Sequence, residues 1–198
     1  MSVVNSDVEI CNLALLACGA TGIDTLDDDT QEAKICKLIY KSSRDNFIRK
    51  HNWNFATKTL SLTLSVETTI GYASTFQLPD DYLKFVQLIG TQYKTKIVGD
   101  KLATNATSVS IEYIARIENV TLYPADFVEA FSLAMAMKMI YKFNQSINAK
   151  QSLQTDAKNA LREARTADGQ EGTMPDMMQD TWIDSRLGAA DGFGNVKI

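Results

Sequence analysis

Val8, Cys11, Leu15 and Cys18 recur at spacings of three and four, and Ile10, Leu13, Ala14, Leu16 and Ala17 fill the rest of the turn. This spacing predicts a helix over about residues 5–18, and apolar residues nearly all round predict that it is buried. Asn5 or Ser6 can cap it, Asp7 and Glu9 suit its positive end, and Gly19 is placed to stop it. A second helix is predicted from Asp29 or Thr30 to about His51. Asp29 and Glu32 have capping-box spacing, and Ala33, Cys36, Tyr40, Ser43 and Phe47 mark its inner face.

After Trp53 the period changes from helical to two. Leu60, Leu62, Leu64 and Val66 alternate with Thr59, Ser61, Thr63 and Ser65, which predicts a strand with one apolar face. Phe76 and Leu78 continue the β character until Pro79-Asp80-Asp81 turns the chain. Leu83 to Ile89 reads as another strand, Val98-Gly99-Asp100-Lys101 as a hairpin turn, and Val109 to Ile117 as a further alternating strand. Helical spacing returns at Pro124, a residue suited to the first helical position. Phe127, Ala130, Phe131, Ala134, Met137 and Tyr141 give that helix its inner face. After a break at Asn144-Gln145-Ser146, a last helix carries Leu153, Ala157, Ala160, Leu161 and Ala164, whose alanines imply a close helix–helix approach.

From Asp168 the pattern collapses among glycines and Pro175, yet Met174, Met177, Met178, Trp182, Ile183 and Leu187 persist. A tail without a task would lack such large apolar groups, whereas an arm that orders on a partner would keep them. The reading is therefore α+β. Residues 1–54 and 119–167 form a helical bundle from the N- and C-terminal helices. Residues 55–118 form an antiparallel β insertion, and 168–198 an extended C-terminal docking arm.

Composition narrows the function classes. The 198 residues suffice for a sizeable core, and 45% apolar with 22% charged residues is ordinary for a globular chain. The net charge of −4 argues against general, tight binding of duplex DNA. No run of ~20 apolar residues predicts a membrane span, and the N-terminus has no basic region followed by an apolar core. Three cysteines, Cys11, Cys18 and Cys36, do not suggest a disulfide framework.

Catalytic chemistry finds little support. His51 is the only histidine, so any Ser-His-Asp or Cys-His mechanism must pass through it, and its place at a helix end suggests a helix terminator. Cys11 and Cys18 share a helix face as small buried thiols do, and three cysteines with one histidine make no zinc pattern. Asp27-Asp28-Asp29 lacks the glycine and glutamate of a calcium loop and suits a helix start instead. Asp80 and Asp81, adjacent in a turn, are poorly placed to flank one bond. Phosphate-binding glycine loops are missing. No catalytic residue, metal or cofactor is expected. Lys34, Lys37, Lys41 and Arg44 make a basic stripe on the second helix, a solvated face or a contact with an acidic partner or passing DNA. Trp53 with Phe55 reads as core, while Trp182, outside any predicted core, reads as a docking group.

The order of several short segments carries a resemblance. They are Asn12-Leu13-Ala14-Leu15-Leu16 through Gly19 to Thr25-Leu26; Trp53-Asn54-Phe55-Ala56 before an apolar strand; Phe76-Gln77-Leu78-Pro79-Asp80-Asp81-Tyr82-Leu83; Ile111-Glu112-Tyr113-Ile114; and Tyr123-Pro124 leading into Phe127 and an alanine-rich helix. In that order, over about residues 5–165, the chain resembles the tail tubular protein A family, the head-to-tail adaptors of short-tailed bacteriophages. The resemblance implies a homo-oligomeric ring, a dodecamer, under the portal protein, with the next tail component (a nozzle, or tail tubular B-like, protein) below and DNA passing through. It implies a place in the tail or neck of the virion after synthesis in the host cytoplasm, with no membrane partner and no catalytic residues to transfer. An acidic channel would let DNA slide. The alternatives are a tail-associated polymer hydrolase using carboxylates such as Asp80 or Glu112, and a small DNA-binding packaging accessory using the basic stripe.

Overall fold

A computed structural model describes residues 6–65, 71–90, 93–143 and 146–172. Helices α1 (Asp7–Cys18) and α2 (Gln31–Arg49) lead into six strands: β1 (Thr57–Ser61), β2 (Ser74–Gln77), β3 (Tyr82–Ile89), β4 (Thr95–Val98), β5 (Lys101–Thr104) and β6 (Ser110–Ala115). Helices α3 (Ala125–Phe143) and α4 (Ile147–Glu171) close the described chain. The fold is α+β, as expected: a helical bundle built from both ends with an antiparallel β insertion between them. The anchors proposed for the arm, Met174, Met177, Met178, Trp182, Ile183 and Leu187, lie outside the described residues.

Local chemistry sets the helix ends. The Ser6 hydroxyl accepts from the Glu9 amide at 3.3 Å, and Gly19 ends α1 at φ +72°, a conformation that costs a residue with a Cβ. Thr30, not Asp29, caps α2 by accepting from the Ala33 amide. All five residues expected on the inner face of α2 are buried. In α1, by contrast, Ile10, Cys11, Ala14, Leu15 and Cys18 are buried, while Leu13 and Leu16 stand 41% and 74% exposed. The all-round apolar pattern predicted a fully buried helix, but one side has no covering element among the described residues.

Helix α3 takes the central position. It packs against α1, α2 and α4, so it buries Val128, Met135, Ala136, Met139 and Ile140 besides the expected Phe127, Ala130 and Phe131. Tyr141, expected inside, is exposed and lies under the Lys150 ammonium, 4.1 Å from its ring centroid. Around the N-terminal half of α3 an aromatic cluster joins the elements. The Trp53 ring meets Phe127 edge-on at 5.1 Å, Phe127 meets Phe55 at 4.8 Å, and Phe47 meets Phe131 at 5.5 Å. Trp53 is core, as the sequence suggested.

The strands form two three-stranded antiparallel sheets, ordered β1-β6-β3 and β2-β5-β4. Gly99 at φ +63° and Asp100 form the tight turn between β4 and β5, where Val98 pairs with Lys101. The first strand differs from its prediction. It spans Thr57–Ser61, paired from Thr57–Ile114 to Ser61–Ser110, and Leu64 makes only an isolated bridge to Phe76. Pairing with β6 decides its limits, and the expected apolar face stays largely outside: Leu60 is 43% and Leu64 59% exposed.

The last helix runs past the expected boundary. Asp168 continues the stripe of Leu153, Ala160 and Ala164, and is buried with them. Its carboxylate accepts from the Asn54 amide at 2.9 Å and lies 3.2 Å from Nε2 of His51, while its carbonyl accepts from the Asn54 side chain at 2.5 Å. Asp168 is therefore a fastening of the body rather than the first residue of an arm, and the helical body extends through Glu171. Asp168→Ala removes the buried carboxylate that accepts from the Asn54 amide and should cost about 1–3 kcal/mol in a urea titration. Asp168→Asn, which keeps an acceptor oxygen, should cost less. The three cysteines are 0–1% exposed, and burial pushes the Cys18 thiol up to about 11. The Cys11 thiol is raised by its hydrogen bond with Cys36 and then by burial. The folded chain should therefore exclude an aqueous thiol reagent that labels all three positions after denaturation.

Candidate functional site

The basic stripe read along α2 divides in the structure. Lys34 pairs with Asp29, and Lys37 with Asp27 at 2.6 Å, so the acidic run before the helix neutralises half of it. Asp28 does different work: it accepts from the Thr25 hydroxyl and amide and from the Asp24 amide, which hold its carboxyl below the usual range and shape the loop. Lys41 stays exposed. Arg44 does not belong to the face. Its side chain is 6% exposed, and it donates to Asp45 at 2.9 Å and Glu118 at 3.2 Å. Burial works most strongly against its charge, but Asp45, Tyr123 and Glu118 together outweigh it and hold the guanidinium above its ordinary range. Arg116 donates to the same Asp45, so these groups bolt α2 to the segment leaving β6.

A different basic face emerges where α2 and α4 flank α3. Lys138 stands on α3 and donates to the Ser43 hydroxyl at 2.8 Å. Burial, then the positive charge of Lys50, holds its ammonium below the usual range. On one side lies a groove of about 510 Å³ with Ile35, Leu38 and Met139 among its walls and Lys34, Lys138 and Lys142 at its rim. On the other, Phe47, Ala134, Met137 and Leu161 line a groove of about 220 Å³ beside Lys50 and Lys158. Leu38, 79% exposed, stands out of the first groove. In a chain of net charge −4, Lys50, Lys138, Lys142 and Lys158 around two apolar grooves, beside the Lys34 already paired with Asp29, make a local positive field. This face can hold an elongated segment that is apolar on one side and acidic on the other.

The residues considered for catalysis are placed apart. Asp80 precedes β3 with its carbonyl against Arg116, whereas Glu112 accepts from Gln87 farther along β6. Four strand residues separate the two places, about 13 Å, beyond the spacing at which two carboxylates flank a glycosidic bond. Asp81 is the more engaged carboxylate: it pairs with Lys58 at 2.7 Å and accepts from the Tyr113 hydroxyl at 3.0 Å. His51 lies against the Trp53 ring with Asp168 beside it, so it fastens a helix end as well as terminating one. Among the described residues, no group of three or more His, Cys, Asp or Glu side chains could hold a metal ion, and no helix is long and apolar enough to cross a membrane.

Sequence reasoning missed the lysine face because its members come from α2, α3, α4 and the turn after α2. The only local signal was the pair Lys138 and Lys142, four residues apart on one helix face. Compared with known families and characterised proteins, the sequence matches neither a family model nor a curated protein. The two kinds of charge on α2 should separate under substitution. Lys37→Ala removes an exposed pair and should change stability by less than about 0.5 kcal/mol. Arg44→Ala removes a buried partner of two carboxylates and should cost about 1–3 kcal/mol in urea unfolding.

Proposed function

We propose that this chain is a structural head-to-tail adaptor of a short-tailed bacteriophage. It would form a ring beneath the portal that joins capsid to tail, lets DNA pass, and contacts the next tail component below. The ordered segments that resemble the tail tubular protein A family motivate the reading. The observation that carries it is the set of apolar side chains left uncovered, among the described residues, on both parts of the chain. Leu13 and Leu16 line the outer side of α1, and Leu60 and Leu64 stand exposed on the β insertion. Contiguous exposed apolar groups of this kind belong to surfaces that other protein subunits cover. In this reading, side-to-side contacts between copies use the body, and the insertion meets a neighbour or the tail.

The two alternatives draw less support. The carboxylates considered for polymer hydrolysis stand apart, Asp80 before β3 and Glu112 on β6, and two of the lysines considered for DNA binding, Lys34 and Lys37, are paired with aspartates. The adaptor would reside in the neck of the virion.

The decisive measurement is the native mass of the chain mixed with a portal ring, with and without residues 173–198. A portal-sized complex carrying about twelve added copies is the expected result, with Leu16→Asp reducing the number bound. A mixture in which portal and chain stay separate at micromolar concentrations would sink the proposal. Loss of the complex on removing 173–198 would assign the docking to those residues, and retention would assign it to the body.

A further inference from the structure

Helix α4 sorts its exposed charges by face. Lys158, Arg162 and Arg165 follow one another at spacings of four and three, so they share one side over about 10 Å of helix. Asp156 and Glu163, seven apart, share a different side, and Asp168 is turned into the body. Lys50, in the turn after α2, joins the cations: Arg165 donates to its carbonyl at 3.3 Å, and Lys50 and Lys158 line the same groove. Several cations elsewhere are neutralised. Lys37, Lys58, Arg44 and Arg116 each meet a carboxylate, whereas among the described residues Lys50, Lys158, Arg162 and Arg165 meet none. Like charges held together without a counter-charge repel one another, and burial and then the charge of Lys50 already hold the Lys138 ammonium below its usual range. An anionic partner would relieve that repulsion.

We propose that the outer side of α4, with Lys50 beside it, meets the phosphate backbone of duplex DNA. What stands between the cations selects among anions. Gln151 and Gln154 continue the same row, and both can donate to phosphate oxygens. An acidic protein needs buried apolar anchors to pack an interface. Leu38 offers one to the groove between α2 and α3, but no exposed large apolar side chain lies on α4 from Gln151 to Arg165. Phe47, Ala134, Met137 and Leu161, beside Lys50 and Lys158, are recessed. Phosphate contacts carry no sequence information and let a duplex slide. The contact rests on the adaptor reading for the presence of DNA and gives that reading a surface along which DNA moves. Its cations are not those of the stripe on α2.

The test is binding of a short labelled duplex to the full-length chain, followed by fluorescence anisotropy as salt is raised. Four phosphate contacts predict an affinity that falls about fiftyfold between about 50 and 150 mM salt. Lys158→Gln with Arg162→Gln should leave a fall of only about sevenfold. Lys158→Arg with Arg162→Lys should keep the full salt dependence, which separates lost charge from lost shape. Lys37→Gln with Lys58→Gln, which removes two paired cations, should keep it as well. The proposal is overturned if the duplex does not bind at the lower salt, or if the salt dependence ignores the α4 changes. It is equally overturned if polyglutamate binds more tightly than the duplex at equal charge, which would assign the face to an acidic protein. No portal is present in this experiment, so the duplex contact and the ring can each fail without the other.

Discussion

A helix that is apolar around most of its circumference must be covered on most of its sides, and α3 imposes that condition on the rest of the chain. Helices α1, α2 and α4 surround it, and the loops between them are placed by that requirement. The aromatic cluster of Phe47, Trp53, Phe55, Phe127 and Phe131 is where the condition is met most tightly, because it joins α2, the start of the insertion and α3 in one contact set. Asp168 then locks the far end of α4 to the backbone beside Trp53. The polar groups there are tolerated because each finds a partner when water is withdrawn.

The helices were legible in the sequence because their inner faces repeat over several turns. The face of α2 was read correctly residue by residue, and the hairpin at Gly99-Asp100 showed in its turn chemistry. Tyr141 was misplaced because periodicity gives the direction of one face but not how many neighbours a helix has. Arg44 looked like its neighbouring lysines in spacing. One of its partners, Glu118, is distant in sequence and brought near by the return of β6 to the body. The end of α4 was missed for a related reason: a carboxylate in an apolar stripe looks like the end of the stripe until its partners in another segment are known.

Function was legible to a different degree. The ordered segments suggested an assembly subunit, and the exposed apolar stripes on α1 and the insertion are consistent with that reading. The lysine face was not legible, because a surface composed of four separated segments has no linear pattern. Its chemistry depends on the bundle: α3 supplies the centre, and the flanking helices bring their own lysines to it.

The first strand of the insertion pairs with its last, Thr57 opposite Ile114, so the chain leaves and re-enters the body about 5 Å apart. The two crossings behave like the base of a hairpin, however large the loop above them. The body also meets the insertion where β3 packs against α2. Loops away from β1, β3 and β6 are the parts that can lengthen or shorten without moving α2 or α3. One bundle can in this way carry insertions of different size, each suited to a different neighbour, while its own packing stays the same.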